Sequence, residues 1–184
     1  METINPNIKR VVVLGPESTG KSTLCRELAL AYQTRWVPEY AREYLEKSGP
    51  GYKEADLWQI AEGQIRLERE ALQAMRDIVY PLPLFIDTNL YVIKVWSEYV
   101  FQACDNRILN HLAMPQSDLY LLCDTDLPWE ADPLRELPDP NERKRIFHYY
   151  LDAMLHQPVP WALVHGPAEE RLVKAMEAVD RLLV

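Results

Sequence analysis

Gly15-Pro16-Glu17-Ser18-Thr19-Gly20-Lys21-Ser22 is the stretch from which the rest of the chain is read. It fits G-x-x-x-x-G-K-[ST] at every fixed position. The apolar run Arg10 to Leu14 (RVVVL) leads into it, and Lys21 to Tyr32 leads out with Leu24, Leu28 and Ala31 on one helical face. A buried strand, a glycine-containing turn and a helix N-terminus together make an anion cradle. Glycine lets the backbone wrap closely, while main-chain N–H groups and the helix dipole supply partial positive charge. Gly15, Pro16, Glu17, Ser18, Thr19, Gly20, Lys21, Ser22 and Thr23 are therefore assigned to nucleotide phosphates. Lys21 is placed on the β- and γ-phosphates and the Ser22 hydroxyl on Mg²⁺, so that ATP and Mg²⁺ are the expected ligands.

Outward from this loop, strands and helices alternate. Arg35 to Pro38 reads as a short second strand, Glu39 to Lys47 as a short helix stopped by Ser48-Gly49-Pro50-Gly51, and Lys53 to Val79 as a long helix. Leu84 to Asp87 is a buried strand after Pro81 and Pro83, followed by helices over Asn89 to Phe101 and Arg107 to Ala113. Asp118 to Cys123 is a strand, Asp124 to Asp139 is Pro- and charge-rich, and Glu142 to Leu155 is a helix. Trp161 to His165 and Ala168 to Leu183 close the pattern. This predicts a single α/β domain over residues 1–184. About five parallel strands carry helices on both faces, and a lid covers residues 124–145. Ligands of such sheets sit beyond the carboxyl ends of the strands, where Gly15, Glu39, Asp87, Asp124 and Gly166 fall.

Charge and composition exclude several classes. A net charge of -8, with no basic run longer than Arg143-Lys144-Arg145, opposes the counterion exchange that nucleic-acid binding needs. No apolar run reaches the length of a membrane span. The segment Met1 to Lys9 is polar and carries Pro6, unlike a signal peptide, so the cytoplasm is the expected location. Cys25, Cys104 and Cys123 lack metal-ligand spacing and read as reduced thiols, and the four histidines show no pairing. Gly166 to Ala168 is the expected adenine contact.

A phosphate loop alone does not define the reaction. The chain has no guanine-reading N-K-x-D tetrad, and neither the length nor the sensor region of a motor or AAA-type machine. It does have arginines after strand four: Arg135 foremost, with Arg143 and Arg145. Phosphoryl transfer spreads negative charge over three oxygens, which a closing arginine stabilises. Asp87 binds Mg²⁺ through water, accepts the acceptor's proton, or caps the helix beginning near Asn89. Glu39 orients or deprotonates a hydroxyl, with Arg42 beside it on substrate or simply paired to it. Trp129 is either a stacking platform for a flat ring or packing between lid and body.

GPESTGKSTL (15–24), VPEYAREYL (37–45), IAEGQ (60–64), FIDTN (85–89) and DTDLPWEADPLRELPD (124–139) carry a resemblance across nearly the whole chain. The chain resembles the ribosylnicotinamide kinase domain of NadR-type proteins, within the P-loop nucleoside and nucleotide kinases. The resemblance implies transfer of the ATP γ-phosphate to the 5′-hydroxyl of nicotinamide riboside in NAD salvage. It implies Glu39, Tyr40, Arg42 and Trp129 around the riboside and Asp87 near metal and hydroxyl. Asn89 stands there as a further substrate contact, where the family pattern favours a carboxylate. Nine residues precede strand one and no H-x-G-H signature occurs, so the regulatory and adenylyltransferase activities of multifunctional NadR proteins are not expected to carry over. Another nucleoside acceptor, or an ATP-binding regulatory module, are the alternative readings.

Overall fold

The computed structural model describes residues 5–184 except positions 50 and 115. Met1 to Ile4 of the polar N-terminal segment, and Pro50 of the expected helix stop, lie outside them. The first strand, β1 (Ile8–Leu14), runs into the phosphate loop and on to α1 (Lys21–Ala31). Then follow β2 (Trp36–Val37), α2 (Tyr40–Ser48), α3 (Glu54–Ala74), β3 (Leu82–Asp87), α4 (Leu90–Phe101) and α5 (Asn106–Leu112). The chain closes with β4 (Leu119–Cys123), α6 (Pro140–Leu155), β5 (Trp161–Val164) and α7 (Ala168–Leu183). Among the described residues the strands form one parallel sheet in the order β2-β3-β1-β4-β5. The central β1 pairs Val12 with Ile86 on one side and with Tyr120 on the other.

Successive side chains of β1 feed opposite faces, as a strand's two-residue period requires. Val12 and Leu14 pack with Leu84, Ile86 and Leu122 beneath α4 and α6. Val11 and Val13 pack with Phe85, Leu121 and Cys123 beneath α1 and α7. Both faces are therefore dry, which explains the unbroken apolar runs of β1, β3 and β4. A third cluster stands apart from the sheet, built from Leu57, Ile60 and Ala61 of α3, Leu90 and Ile93 of α4, and Ile108 of α5.

The long helix ends five residues earlier than its apolar spacing predicts, at Ala74, and Val79 is 85% exposed. The carbonyls released there find a tertiary partner instead of another helical turn. Asn5 Nδ2 donates to the carbonyls of Met75 (3.4 Å), Arg76 (3.1 Å) and Ile78 (2.8 Å), and Asn7 Nδ2 also reaches Ile78 (3.2 Å). No local periodicity encodes a partner some 70 residues upstream. The last helix before β5 begins at Pro140, two residues before its expected start, because the Asp139 carboxylate accepts from Asn141 N at 2.8 Å and Pro140 suits the first turn.

Helix α2 lies on α3 at Gly63. A β-carbon at that position would come within 2.0 Å of the Tyr40 ring, so only glycine admits this approach. Gly63→Ala is expected to displace Tyr40 and with it α2, costing about 1–3 kcal/mol. Thermal unfolding checks the stability loss. The same displacement is expected to weaken binding of an acceptor more than binding of ATP, which titration of each ligand separately reads.

Candidate functional site

The carboxyl ends of the strands open into one cleft of about 480 Å³, lined at one end by the phosphate loop from Gly15 to Thr23. The loop's geometry follows from two contacts. Gly15 has φ +139°, and a β-carbon there would lie 2.6 Å from the Cys123 carbonyl oxygen, so β1 passes the end of β4 only as glycine. Inside the loop the Pro16 carbonyl accepts from Thr19 Oγ1 and from Lys21 Nζ, both at 2.8 Å. Lys21 is thereby held across the loop's mouth.

Two carboxylates flank Lys21. Asp87, at the end of β3, is 1% exposed, and its Oδ1 has no hydrogen-bond partner among the described residues. Burial pushes its carboxyl up from the ordinary value, while Lys21 and a Ser22 hydrogen bond pull it back. Glu39 is half-buried, lines the cleft, and is also raised by burial, against the opposing pull of Lys21. Glu39 stands immediately before α2 and Asp87 two residues before the cap of α4, and the Glu39 side chain makes no cap bond. Asn89 caps α4, its Oδ1 accepting from Tyr91 N at 3.0 Å. Gln64 Oε1 accepts from Tyr40 N at 2.9 Å, taking the place of a Glu39 cap. Of the three roles open to Asp87 from sequence, the cap is thus filled by its neighbour. Ser22 and the unpartnered Asp87 oxygen are hard oxygen donors beside the phosphate loop, a set that fits Mg²⁺ held in part by phosphates.

The other expected residues divide. Arg42 lines the cleft and bonds Asp132 of the lid at 2.8 Å; that hydrogen bond chiefly raises its own pKa. Arg135 also lines the cleft, its Nη1 donating to Ser18 Oγ at 2.7 Å and to the Glu130 carbonyl at 2.5 Å. Arg143 is buried, with Nη2 on the carbonyls of Ser18 (3.3 Å) and Leu127 (3.1 Å), so it anchors the lid's root. Arg145 is exposed beside Glu142. Tyr40, Asn89 and Trp129 are not cleft-lining residues. The Tyr40 ring lies against Gly63, with the Arg66 guanidinium 5.4 Å from its centre. Asn89 is buried by its capping role. Trp129 is half-buried and donates from Nε1 to Glu17 Oε1 at 3.3 Å, which is the lid-packing alternative. Of the segment Gly166 to Ala168, Ala168 lines the cleft and the other two residues do not.

Arg171, Tyr52 and Trp96 are among the cleft residues that were not singled out by sequence as site residues. Arg171, 3% exposed in the first turns of α7, gathers three carbonyls: Nη1 on Thr19 (3.0 Å), Nη2 on Asp124 (3.0 Å) and Nε on Gly166 (2.7 Å), with Asp126 as counter-ion. Tyr52 and Trp96 line the far end of the cleft. Trp96 Nε1 donates to Tyr52 Oη at 2.7 Å, and that hydroxyl donates to Glu136 Oε1 of the lid at 3.0 Å. Neither aromatic carries a local mark of a cleft wall: Tyr52 stands between Gly51 and Lys53 outside the regular elements, and Trp96 lies within the apolar helix α4.

With this geometry in place, a family model described as "AAA domain" matches residues 10–171. The chain belongs to this family. The sequence reading set a motor or AAA-type machine aside; the family's description names the domain, and the build here is that of a small P-loop kinase. The chain is similar to the trifunctional NAD biosynthesis/regulator protein NadR of Escherichia coli (strain K12). The two are 25% identical over 182 residues, which is 96% of this chain and 43% of the relative. NadR of Salmonella typhimurium matches with the same identity and coverage. The chain thus spans less than half the length of these relatives. Its fold is similar to a crystal structure of NadR protein in complex with NR, with a TM-score of 0.77 and 22% identity over 98% of this chain and 51% of that one. Thymidylate kinase from Ehrlichia chaffeensis shares the fold at a TM-score of 0.63 and 13% identity, over 96% of this chain and all of that one. The expected P-loop kinase fold and the resemblance to NadR-type proteins both stand. Among the described residues, no helix is long and apolar enough to cross a membrane.

The raised Asp87 pKa predicts opposite effects on stability and turnover. A carboxyl whose folded pKa exceeds its unfolded value penalises the folded state at high pH. The penalty is absent below the ordinary value of about 4 and complete above the raised one. Asp87→Asn is therefore expected to raise the melting temperature of the apoprotein at pH 8, by about 2–4 °C per kcal/mol recovered. The gain disappears as pH falls toward 4. Calorimetry across pH checks the sign, and turnover in the same variant is expected to fall at least ~100-fold.

Proposed function

We propose that the chain is an ATP-dependent kinase that phosphorylates the 5′-hydroxyl of nicotinamide riboside, giving nicotinamide mononucleotide. The observation that carries this reading is the two-ended cleft. One end is a phosphate loop. The other is an apolar chamber with two aromatic rings, Tyr52 and Trp96, under the Glu136 carboxylate. Aromatic faces and a nearby carboxylate suit a flat cationic ring such as a pyridinium. The similarity to NadR, and the fold shared with its complex with NR, support the same choice. On this reading the ring rests on Tyr52 and Trp96, in place of Tyr40 and Trp129.

The phosphate loop amides and Lys21 hold the β- and γ-phosphates, and Ser22 and Asp87 hold Mg²⁺. When bound, the metal screens the phosphate charge. Glu39 is the base, since of the two carboxylates flanking Lys21 it is the one that lines the cleft, and its raised pKa keeps it basic nearer neutrality. The 5′-oxygen forms a bond to the γ-phosphorus while the bond to the β–γ bridging oxygen breaks. ADP leaves with that electron pair, and the hydroxyl proton passes to Glu39. Arg135 reaches the transferring group from the lid, and Arg42 orients the ribose. Most of the acceleration comes from positioning and fixed charge.

Acceptor-dependent ADP release with Mg-ATP tests the assignment, comparing nicotinamide riboside with nucleosides and deoxynucleosides. A product of nicotinamide mononucleotide mass is the expected result. Response to another nucleoside alone would move the acceptor, and silence with every acceptor would favour an ATP-binding regulatory module. Glu39→Gln is expected to lower kcat by roughly 10²–10⁴-fold. The acid limb of the wild-type kcat profile is expected above the ordinary carboxylate range, and this substitution should remove it.

A further inference from the structure

The phosphate-loop motif leaves positions 17 and 18 chemically unspecified, yet in this chain both side chains face the lid. Glu17 Oε1 accepts from Trp129 Nε1 (3.3 Å) and Leu137 N (2.5 Å), and Oε2 accepts from Glu136 N (2.9 Å). Ser18, at φ +57°, accepts through Oγ from Glu130 N (3.0 Å) and Arg135 Nη1 (2.7 Å). These donors come from a lid segment with no regular secondary structure, whose course therefore depends on tertiary contacts of this kind.

A carboxylate at the rim of an anion site is electrostatically unfavourable unless donors take up its charge. Three lid N–H groups do so, and hydrogen bonds to an ionised acceptor are roughly twice as strong as neutral ones. The same three donors bracket Arg135 in sequence, and one of them is the backbone of Glu136, whose side chain meets Tyr52 in the far chamber. One carboxylate on the phosphate loop thus fixes the lid's path over both ends of the cleft.

We propose that Glu17 is a positioning residue that latches the lid to the phosphate loop, setting Arg135 and Glu136 in register and keeping water from the γ-phosphate. The latch is a property of the fold alone; its effect on turnover rests on the kinase reading above. A lid held by Glu17 excludes water during transfer, whereas a detached lid admits water as a competing acceptor.

Hydrogen–deuterium exchange of the apoprotein reads the latch directly, whatever the acceptor proves to be. Glu17→Ala is expected to speed exchange at Glu136 and Leu137 by about tenfold or more, since each loses a charge-assisted partner. Glu17→Gln keeps one acceptor oxygen and is expected to fall between. In turnover, Glu17→Ala is expected to lower kcat while KM for ATP changes by less than about threefold. Acceptor-independent ADP release should rise relative to the acceptor-dependent rate. Unchanged exchange at 136 and 137 overturns the latch. Faster exchange spread equally through β1 and β3 overturns it too, because that marks lost fold. Faster lid exchange with unchanged kcat and unchanged coupling overturns the positioning role. Lack of activity toward nicotinamide riboside leaves the exchange result intact, so the two proposals fail separately.

Discussion

Parallel strands that end together leave their last carbonyls converging on one edge, and those oxygens need donors. The Arg171 guanidinium meets this need by binding the phosphate loop at Thr19, the end of β4 at Asp124 and the end of β5 at Gly166. Its planar fork presents several donors in fixed directions, which a lysine does not. Asp126 balances the charge, so the buried cation is paired and not stranded. This side chain ties the loop after β1 to the ends of β4 and β5, and Arg143 on the Ser18 carbonyl and Ser22 beside Asp87 add further ties.

A second constraint concerns which groups are kept out of structural work. Glu39 occupies the N-cap position of α2, and Asp87 lies two residues ahead of that of α4. In each case another residue serves the helix N-terminus: Gln64 reaches across from α3 for Tyr40 N, and Asn89 serves α4. The result is two carboxyls near Lys21, both raised by burial and neither spent on a cap. Such perturbed carboxyls mark chemistry more often than architecture.

Much of this was legible in the chain because local rules and global fold agree there. The β-branched run before Gly15, the fixed spacing to Lys21 and the apolar strand ending at Asp87 each have only one sensible reading. The parallel sheet with both faces covered followed from the same alternation. Where the structure adds what local pattern lacks, the partners are distant in sequence. The end of α3 depends on Asn5 and Asn7, the Tyr40 ring on the bare surface of Gly63, and Trp129 on Glu17. Tyr52 and Trp96 were hidden differently. Tyr52 precedes α3 and belongs to no periodic element; for Trp96, periodicity tells that the side chain faces inward, but not whether the inside is filled by protein or kept for a ligand.

The cluster formed by Leu57, Ile60, Ala61, Leu90, Ile93 and Ile108 shares no buried member with the two clusters that sandwich the sheet. Leu57, Ile60 and Ile93 of it also line the cleft's aromatic end. The aromatic end of the cleft is thus walled in part by apolar packing beside the layers of the sheet, and the half-buried Trp96 joins that packing to the layer beneath α4 and α6. On the kinase reading proposed above, this arrangement would let the acceptor end of the fold vary over evolutionary time while the phosphate loop is kept.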